Sequence, residues 1–176
     1  MKTKTLSTLQ KELGIKNVFA LPKIEKVVIN AGLGRTVKDE KFLELVLRDL
    51  ALISGQKPKT TLAKKSIANF KTRQGMVIGA MVTLRGQRMR DFINRLINSA
   101  LPRTRDFRGI SDGSLDTGGN LTIGIKEHIV FPEIRGEEMK NIFGFEITIV
   151  VKAKNKEEAL ALYKSLGFPM KLKDKI

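Results

Sequence analysis

The chain has 176 residues, a hydrophobic fraction of 41% and a formal net charge of +15. This length predicts one domain, residues 1–176, with enough apolar residues for a core. The absence of cysteine excludes a disulfide framework and a cysteine-ligated zinc site. There is no apolar run near the ~18 residues of a membrane span and no secretory signal, so we expect a cytoplasmic protein without a membrane partner.

The first half of the chain predicts two helices with a strand between them. Residues 5–16 place Leu6, Leu9 and Leu13 on one helical side. Residues 23–30, KIEKVVIN, predict a strand, after which AGLGRT turns the chain. Residues 39–54 predict a helix that begins with a Thr36–Asp39 capping box and ends at Gly55.

The second half predicts three strands and two helices. In chain order these are a strand at 75–85 with a weak point at Gly79, a helix at 86–102, strands at 120–130 and 145–153, and a helix from Asn155 to Leu166. A capping box begins the last helix. The sequence therefore predicts an α+β fold, a mostly antiparallel sheet with helices packed on one face.

The positive charge is concentrated in one part of the chain. Residues 54–105 hold 12 Lys or Arg and a single acid, Asp91. Within the stretch ISGQKPKTTLAKKSIANFKTRQG, residues 53–75, there is no acid at all. A solvated basic face is one interpretation, but surfaces that serve only solubility mix their signs. The imbalance favours a polyanionic partner such as RNA.

Alternation along the strands predicts one apolar and one polar sheet face. Successive strand side chains point to opposite faces, so Val27 and Ile29 share one face while Asn30 lies on the other. Thr83 and His128 are predicted on the same polar face, which helices leave open. This face carries no aromatic residue for base stacking. We therefore expect RNA contacts through phosphate pairing and through hydrogen bonds from Asn, Gln and Thr.

Other kinds of site have weaker support in the sequence. VVINAGLGRT could form the phosphate turn of an RNA-modifying or nucleotide-dependent enzyme, but the third glycine of G-x-G-x-x-G would fall at Val37. His128 is the single histidine, and no G-x-S-x-G motif occurs. We therefore predict no catalytic residue, no metal and no cofactor. A non-specific basic nucleic-acid binder is a further alternative.

The segment RTRDFRGISDGSLDTGGN, residues 103–120, is the longest loop that the sequence predicts. It mixes charges and is rich in glycine. Loops of this length within a compact domain are commonly binding elements. We expect it to contact a further partner.

Six segments of the chain resemble one known family. They are, in order, PKIEKVVINAGLG, ISGQKP, KKSIANFKTRQG, VTLRG, LPRTRDFRGIS and IVFPEI. Together they resemble the bacterial type of large-subunit ribosomal protein five, the family that binds 5S rRNA. The resemblance implies a structural constituent of the large ribosomal subunit, a monomer within the ribosome, that attaches 5S rRNA in the central protuberance. It also implies contacts with 23S rRNA, peptidyl-site tRNA, other central-protuberance proteins and, through an intersubunit bridge, small-subunit ribosomal protein thirteen.

The resemblance further implies which residues make these contacts. Hydrogen bonds to 5S rRNA are expected from Asn30, Gln56 and Thr83, and further rRNA contacts from Lys64, Lys65, Ser66 and Arg85. The loop at residues 70–79 is expected to contact tRNA through Lys71, Arg73, Gln74 and Gly75. The loop at about residues 107–120 is expected to form the bridge through Phe107, Arg108, Ser111 and Asp112.

Overall fold

The computed structural model describes residues 9–34, 39–105, 107–134 and 141–171. Within them, five strands form one sheet in the order β2-β3-β1-β5-β4, and every neighbouring pair is antiparallel. The strands are β1 (Lys23–Gly32), β2 (Lys59–Leu62), β3 (Val77–Leu84), β4 (Leu121–Ile125) and β5 (Phe145–Lys152). The prediction of an α+β fold is confirmed.

Three longer helices accompany the sheet: α1 (Glu40–Ser54), α2 (Gly86–Arg95) and α3 (Lys156–Ser165). Helix α2 continues through a π turn, Leu96–Ala100, and a last turn, Leu101–Arg103. The predicted helix at 86–102 is thereby confirmed. Residues 9–13 are also helical, whereas the start of the predicted 5–16 helix, with Leu6, lies outside the described residues.

Of the two predicted capping boxes, the structure confirms the one at the start of α3. Asn155 accepts a hydrogen bond from the N–H of Glu158, and the Glu158 carboxylate accepts the N–H of Lys154, which fixes the start of α3. Asp39 accepts the N–H of Phe42 and is itself the N-cap of α1. Asp39 is thus not the inner partner of a box with Thr36, a residue outside the described part of the chain.

The helices cover one face of the sheet, as alternation predicted. Val27, Ile29 and Ala31 of β1 are fully buried, whereas Asn30 between them is exposed. Strands β3, β4 and β5 show the same alternation, and their buried side chains join those of the helices in one hydrophobic core. The division into an apolar covered face and a more polar open face is confirmed.

The basic stretch contains a strand that the sequence pattern does not predict. Strand β2 pairs with β3 at the edge of the sheet, with Lys59 opposite Met81 and Thr61 opposite Gly79. It has four residues and no buried side chain, so no hydrophobic alternation marks it. A charged, short edge strand of this kind also discourages pairing with other chains.

Two sequence predictions are wrong, one about the turn AGLGRT and one about a weak point at Gly79. Ala31 and Gly32 belong to β1, opposite Ala80 and Gly79, so the turn at AGLGRT does not begin at Ala31. Gly79 is no weak point in β3, because a Cβ there would lie 2.7 Å from Thr61 Oγ1 and 2.8 Å from the Ala31 carbonyl oxygen. Glycine at this position allows three strands to approach closely.

Candidate nucleic-acid interface

The open face of the sheet carries rows of side chains fixed by the strand register. One row consists of Thr83, Val28, Thr148 and Thr122. The next row consists of Lys59, Met81, Asn30, Glu146 and Gly124. All of these residues are exposed or half-buried. The face therefore presents hydroxyl, amide and ammonium groups to a partner.

Gln56 joins this face through a hydrogen bond to β3. Its Nε2 donates to the backbone carbonyl oxygen of Thr83 at 3.2 Å. Because β2 begins with Lys59 opposite Met81, the Thr83 carbonyl lies just beyond the last β2–β3 pair. Asn30 and Thr83 are diagonal neighbours on adjacent strands. The structure thus brings Asn30, Gln56 and Thr83 to the same part of the open face, and the exposed Arg85 follows β3.

The basic loop, residues 63–76 between β2 and β3, is folded by its own hydrogen bonds. Ile67 and Thr72 exchange both backbone hydrogen bonds, at 3.1 and 3.2 Å. The Ser66 hydroxyl accepts a hydrogen bond from the N–H of Gln74 at 3.0 Å, so this side chain already stabilises the loop. Gly75, with φ 85°, donates its N–H to the Ala63 carbonyl at 3.0 Å. The loop is therefore an ordered extension of the β2–β3 hairpin.

Exposed cations surround this extension: Lys64, Lys65, Lys71 and Arg73. None of the four forms a salt bridge with a carboxylate in the described residues. Lys71 is held in the left-handed region at φ 52°, at the end of the short 3-10 turn Ala68–Phe70. These exposed charges, which no carboxylate of the described residues neutralises, suit a ligand with closely spaced phosphates.

Phe70 is a candidate contact that the sequence analysis does not single out. Its side chain is 71% exposed beside Lys71 at the tip of the basic loop. Leu62, Ile67 and Ile142 are also exposed, and together with Phe70 they line a surface groove. The signal that the sequence offers is an aromatic residue inside a polar, basic stretch. A ring in this setting can stack on an unpaired base.

The bridge loop, at about residues 107–120, lies toward the other edge of the sheet, before β4. Phe107 packs partly buried against the core, whereas Arg108 and Ser111 are exposed. Ser111 caps the 3-10 turn Asp112–Ser114 by accepting the N–H of Gly113. Lys156 of α3 donates to the carbonyl oxygens of Asp112 and Leu115 at 3.0 and 3.2 Å. This segment is therefore tied to the body, and it does not join the β2-edge residues.

His128 lies in the core, so its predicted place on the polar face is wrong. Strand β4 ends at Ile125, and residues 128–130 form a 3-10 turn. The buried imidazole Nε2 lies 3.3 Å from Asp49 Oδ2 of α1, also buried, and Nδ1 accepts the N–H of Phe143 at 3.4 Å. The ring stacks on Phe143 with centroids 4.1 Å apart. The pair connects α1 to the chain after β4.

The buried pair predicts a dependence of folding stability on pH. Burial lowers the pKa of His128, against the opposing effect of Asp49, and burial raises the pKa of Asp49. Because the unfolded imidazole has a pKa of about 6.5, the stability that His128 contributes is complete above that pH and is lost as pH falls toward its folded pKa. The raised pKa of Asp49 has the opposite effect on stability. The stability that Asp49 contributes is present below its unfolded pKa of about 3.9 and is lost as pH rises through its folded pKa.

Relative to the His128→Gln variant, we expect the wild-type protein to lose free energy of unfolding as pH falls below about 6.5. Urea denaturation across this range measures the effect. Because the chain has a single histidine, its ring signals in an NMR titration report the folded pKa directly. A folded pKa above 6.5 would contradict this account of burial.

Two further kinds of feature are absent from the described residues. No group of three or more His, Cys, Asp or Glu is placed to hold a metal ion. No helix there is long and apolar enough to cross a membrane.

Comparison with known proteins covers nearly the whole chain. Residues 17–73 match the family model of ribosomal protein L5, and residues 77–170 match the model of the C-terminus of the same ribosomal family. The large ribosomal subunit protein uL5 of Dichelobacter nodosus is 52% identical over 170 residues, 97% of this chain and 95% of the relative. The large ribosomal subunit protein uL5 of Ureaplasma parvum is 54% identical over 168 residues, 96% of this chain and 91% of the relative. That of Halothermothrix orenii is 50% identical over 168 residues, 96% and 94% of the two chains. This chain therefore belongs to the ribosomal protein L5 family, whose members are structural, non-enzymatic proteins of the large ribosomal subunit.

Proposed function

We propose that this protein binds 5S rRNA through the open face of its sheet and helps to attach that RNA to 23S rRNA in the central protuberance. The observation that carries the proposal is the grouping of Asn30, Gln56 and Thr83 on an uncovered face. Their amide and hydroxyl groups can form hydrogen bonds to bases and riboses. Arg85, which follows β3, and Lys64 and Lys65, which follow the other end of β2, add exposed positive charge for phosphates.

The basic loop supports a second contact, with tRNA in the peptidyl site. Lys71 and Arg73 are exposed beside the exposed ring of Phe70. Cations next to a stacking surface suit an RNA segment with unpaired bases. The exposed Gln74 and Gly75 complete the proposed tRNA contact on the same hairpin extension.

The bridge loop supports a protein contact, with small-subunit ribosomal protein thirteen. Its fixed backbone presents Arg108 and Ser111 at the surface, while Phe107 and Asp112 are partly buried. A pre-ordered loop loses less conformational freedom on binding than a flexible one. Because this loop lies toward the β4 side and the basic loop at the β2 side, the proposed protein and tRNA contacts are separate. In this proposal the protein acts as a monomer within cytoplasmic ribosomes.

The alternatives differ in their support. The enzyme alternative requires AGLG to form a phosphate-binding turn, but Ala31 and Gly32 of this motif are paired strand residues. The members of the family are also structural proteins. A non-specific nucleic-acid binder would use the same cations but would not require Asn30, Gln56 or Thr83. Competition between 5S rRNA and other nucleic acids separates this alternative from the proposed function.

Replacing Lys64 with alanine should weaken the salt dependence of 5S rRNA binding. Each phosphate contact contributes roughly 0.7–0.9 to the slope of log K against log salt concentration, so the slope of the Lys64→Ala variant should be smaller in magnitude by about that amount. Filter binding at several salt concentrations measures it. Lys164→Ala removes one exposed charge from α3 and should leave the slope unchanged. Equal slopes for Lys64→Ala and the wild type would place Lys64 outside the interface.

A further inference from the structure

The last residue of α1, Ser54, has a hydroxyl that holds the chain as it leaves the helix. Ser54 is 2% exposed. Its Oγ accepts the N–H of Gln56 at 3.2 Å and lies 2.6 Å from the Leu50 carbonyl oxygen and 2.9 Å from that of Gln56. The hydroxyl has one proton, which it donates to one of these two carbonyl oxygens at a time. Its oxygen meanwhile accepts the hydrogen bond from the Gln56 N–H. The backbone N–H of Gln56 is thus tied to the end of the helix, and its carbonyl oxygen lies within reach of the same hydroxyl.

Two further interactions fix the same helix end. Gly55 ends the helix in the left-handed region, with φ 67° and ψ 19°, and donates its N–H to the Ala51 carbonyl at 2.8 Å. Arg95 of α2 donates from Nη2 to the Ile53 carbonyl at 2.9 Å, and its Nε lies 2.7 Å from Glu133 Oε1. The segment that leads to Gln56 is therefore held by a second helix as well.

The side chain of Gln56 is fixed on one side and open on the other. Its Nε2 donates one proton to the Thr83 carbonyl. A carboxamide has two N–H donors and an accepting oxygen, and in the described residues no other protein group bonds to this one. The remaining donor and the oxygen are available to a ligand. A side chain already ordered in this way loses less conformational freedom on binding.

We propose that Ser54 is the positioning residue that sets the place of Gln56 on the RNA-binding face. This inference rests on the proposed 5S rRNA contact of Gln56. Ser54 itself is buried and does not touch the RNA. It acts by holding the backbone of Gln56, so that the carboxamide bridges from the Thr83 carbonyl to the ligand.

A double-mutant cycle with purified full-length protein and 5S rRNA tests the proposal. Ser54→Ala should bind about threefold to tenfold more weakly, the effect of one net hydrogen bond. Gln56→Ala should lose at least as much, and adding Ser54→Ala to it should change binding less than about twofold, because the residue that Ser54 positions is gone. Ser54→Thr keeps the hydroxyl and should bind nearly as the wild type does.

Ser165→Ala is the matched control, since Ser165 Oγ also donates to a carbonyl of its own helix, that of Leu162, at 2.7 Å. It should not change binding. Unchanged binding by Ser54→Ala beside a weakened Gln56→Ala would overturn the inference and leave the proposed function intact. The same loss from Ser54→Ala in both backgrounds would also overturn it, because the role would then be structural. Unchanged binding in all these variants would refute both the inference and the Gln56 contact.

Hydrogen exchange of the wild-type protein provides a test that does not depend on folding of the alanine variant. The Gln56 amide is bonded to the Ser54 hydroxyl and should exchange slowly. Exchange at the rate of a free amide would overturn the inference.

Discussion

Replacing Asn30, Gln56 and Thr83 together with alanine is expected to weaken 5S rRNA binding at least about a hundredfold. Hydrogen bonds whose loss leaves a buried group unpaired are worth about 1–3 kcal/mol each, and about 1.4 kcal/mol corresponds to a factor of ten. The three residues are neighbours, so their effects need not add. Filter binding with labelled 5S rRNA at fixed salt concentration measures the loss.

A double variant on the helical layer provides the control. Asn94 and Asn98 are exposed on α2 and its π turn, and Asn94→Ala with Asn98→Ala removes amides without touching the open face. This variant should bind as the wild type does. The salt slope of the triple variant should also be unchanged, because no cation is removed. If the triple variant kept full affinity, the proposed contacts of all three residues would be wrong.

Replacing Gly119 with alanine is expected to cost about 2–5 kcal/mol of folding stability. Gly119 has φ +81°, and a Cβ there would collide with the Cβ of Ala159 in α3. Its carbonyl oxygen also accepts the buried Tyr163 hydroxyl at 3.0 Å. The bridge loop therefore enters β4 through a position where α3 leaves no space. Urea denaturation measures the change in the free energy of unfolding.

Gly167 separates the two causes of this cost. It has φ +86°, close to that of Gly119, but a Cβ there would meet nothing within 4 Å. Gly167→Ala should therefore show only the backbone penalty, about 1–2 kcal/mol. The difference between the two variants measures the collision with Ala159. Equal losses at the two positions would mean that α3 can move away from residue 119.

The parts of the fold that the sequence predicts well are those with a regular pattern. Alternation in β1 and β5 and helical periodicity in α1 and α2 are local properties. Strand β2 has no such pattern, because its four residues at the edge of the sheet bury no side chain. The β4 prediction extends too far for a different reason. Apolar residues return at Ile129 and Val130, but the chain turns after Ile125 and places His128 against Asp49. That partner is distant in sequence and leaves no local signal.

The sequence also predicts only part of the candidate interface. Alternation alone places Asn30 and Thr83 on one face. The position of Gln56 depends on the hydroxyl of Ser54 and on the Thr83 carbonyl that β2 leaves unpaired, and neither contact is visible in the sequence. The exposure of Phe70 depends on how the basic loop folds on itself. Side-chain and loop contacts therefore complete a surface that strand alternation only outlines.

The most direct test of 5S rRNA recognition is a titration of the intact protein against 5S rRNA at two salt concentrations, with transfer RNA and duplex DNA as competitors. We predict that binding to 5S rRNA survives a large excess of either competitor at both salt concentrations, because hydrogen bonds from the open face add to the charge interactions. Loss of the complex to all competitors alike would contradict specific recognition and would leave a basic surface that binds any nucleic acid.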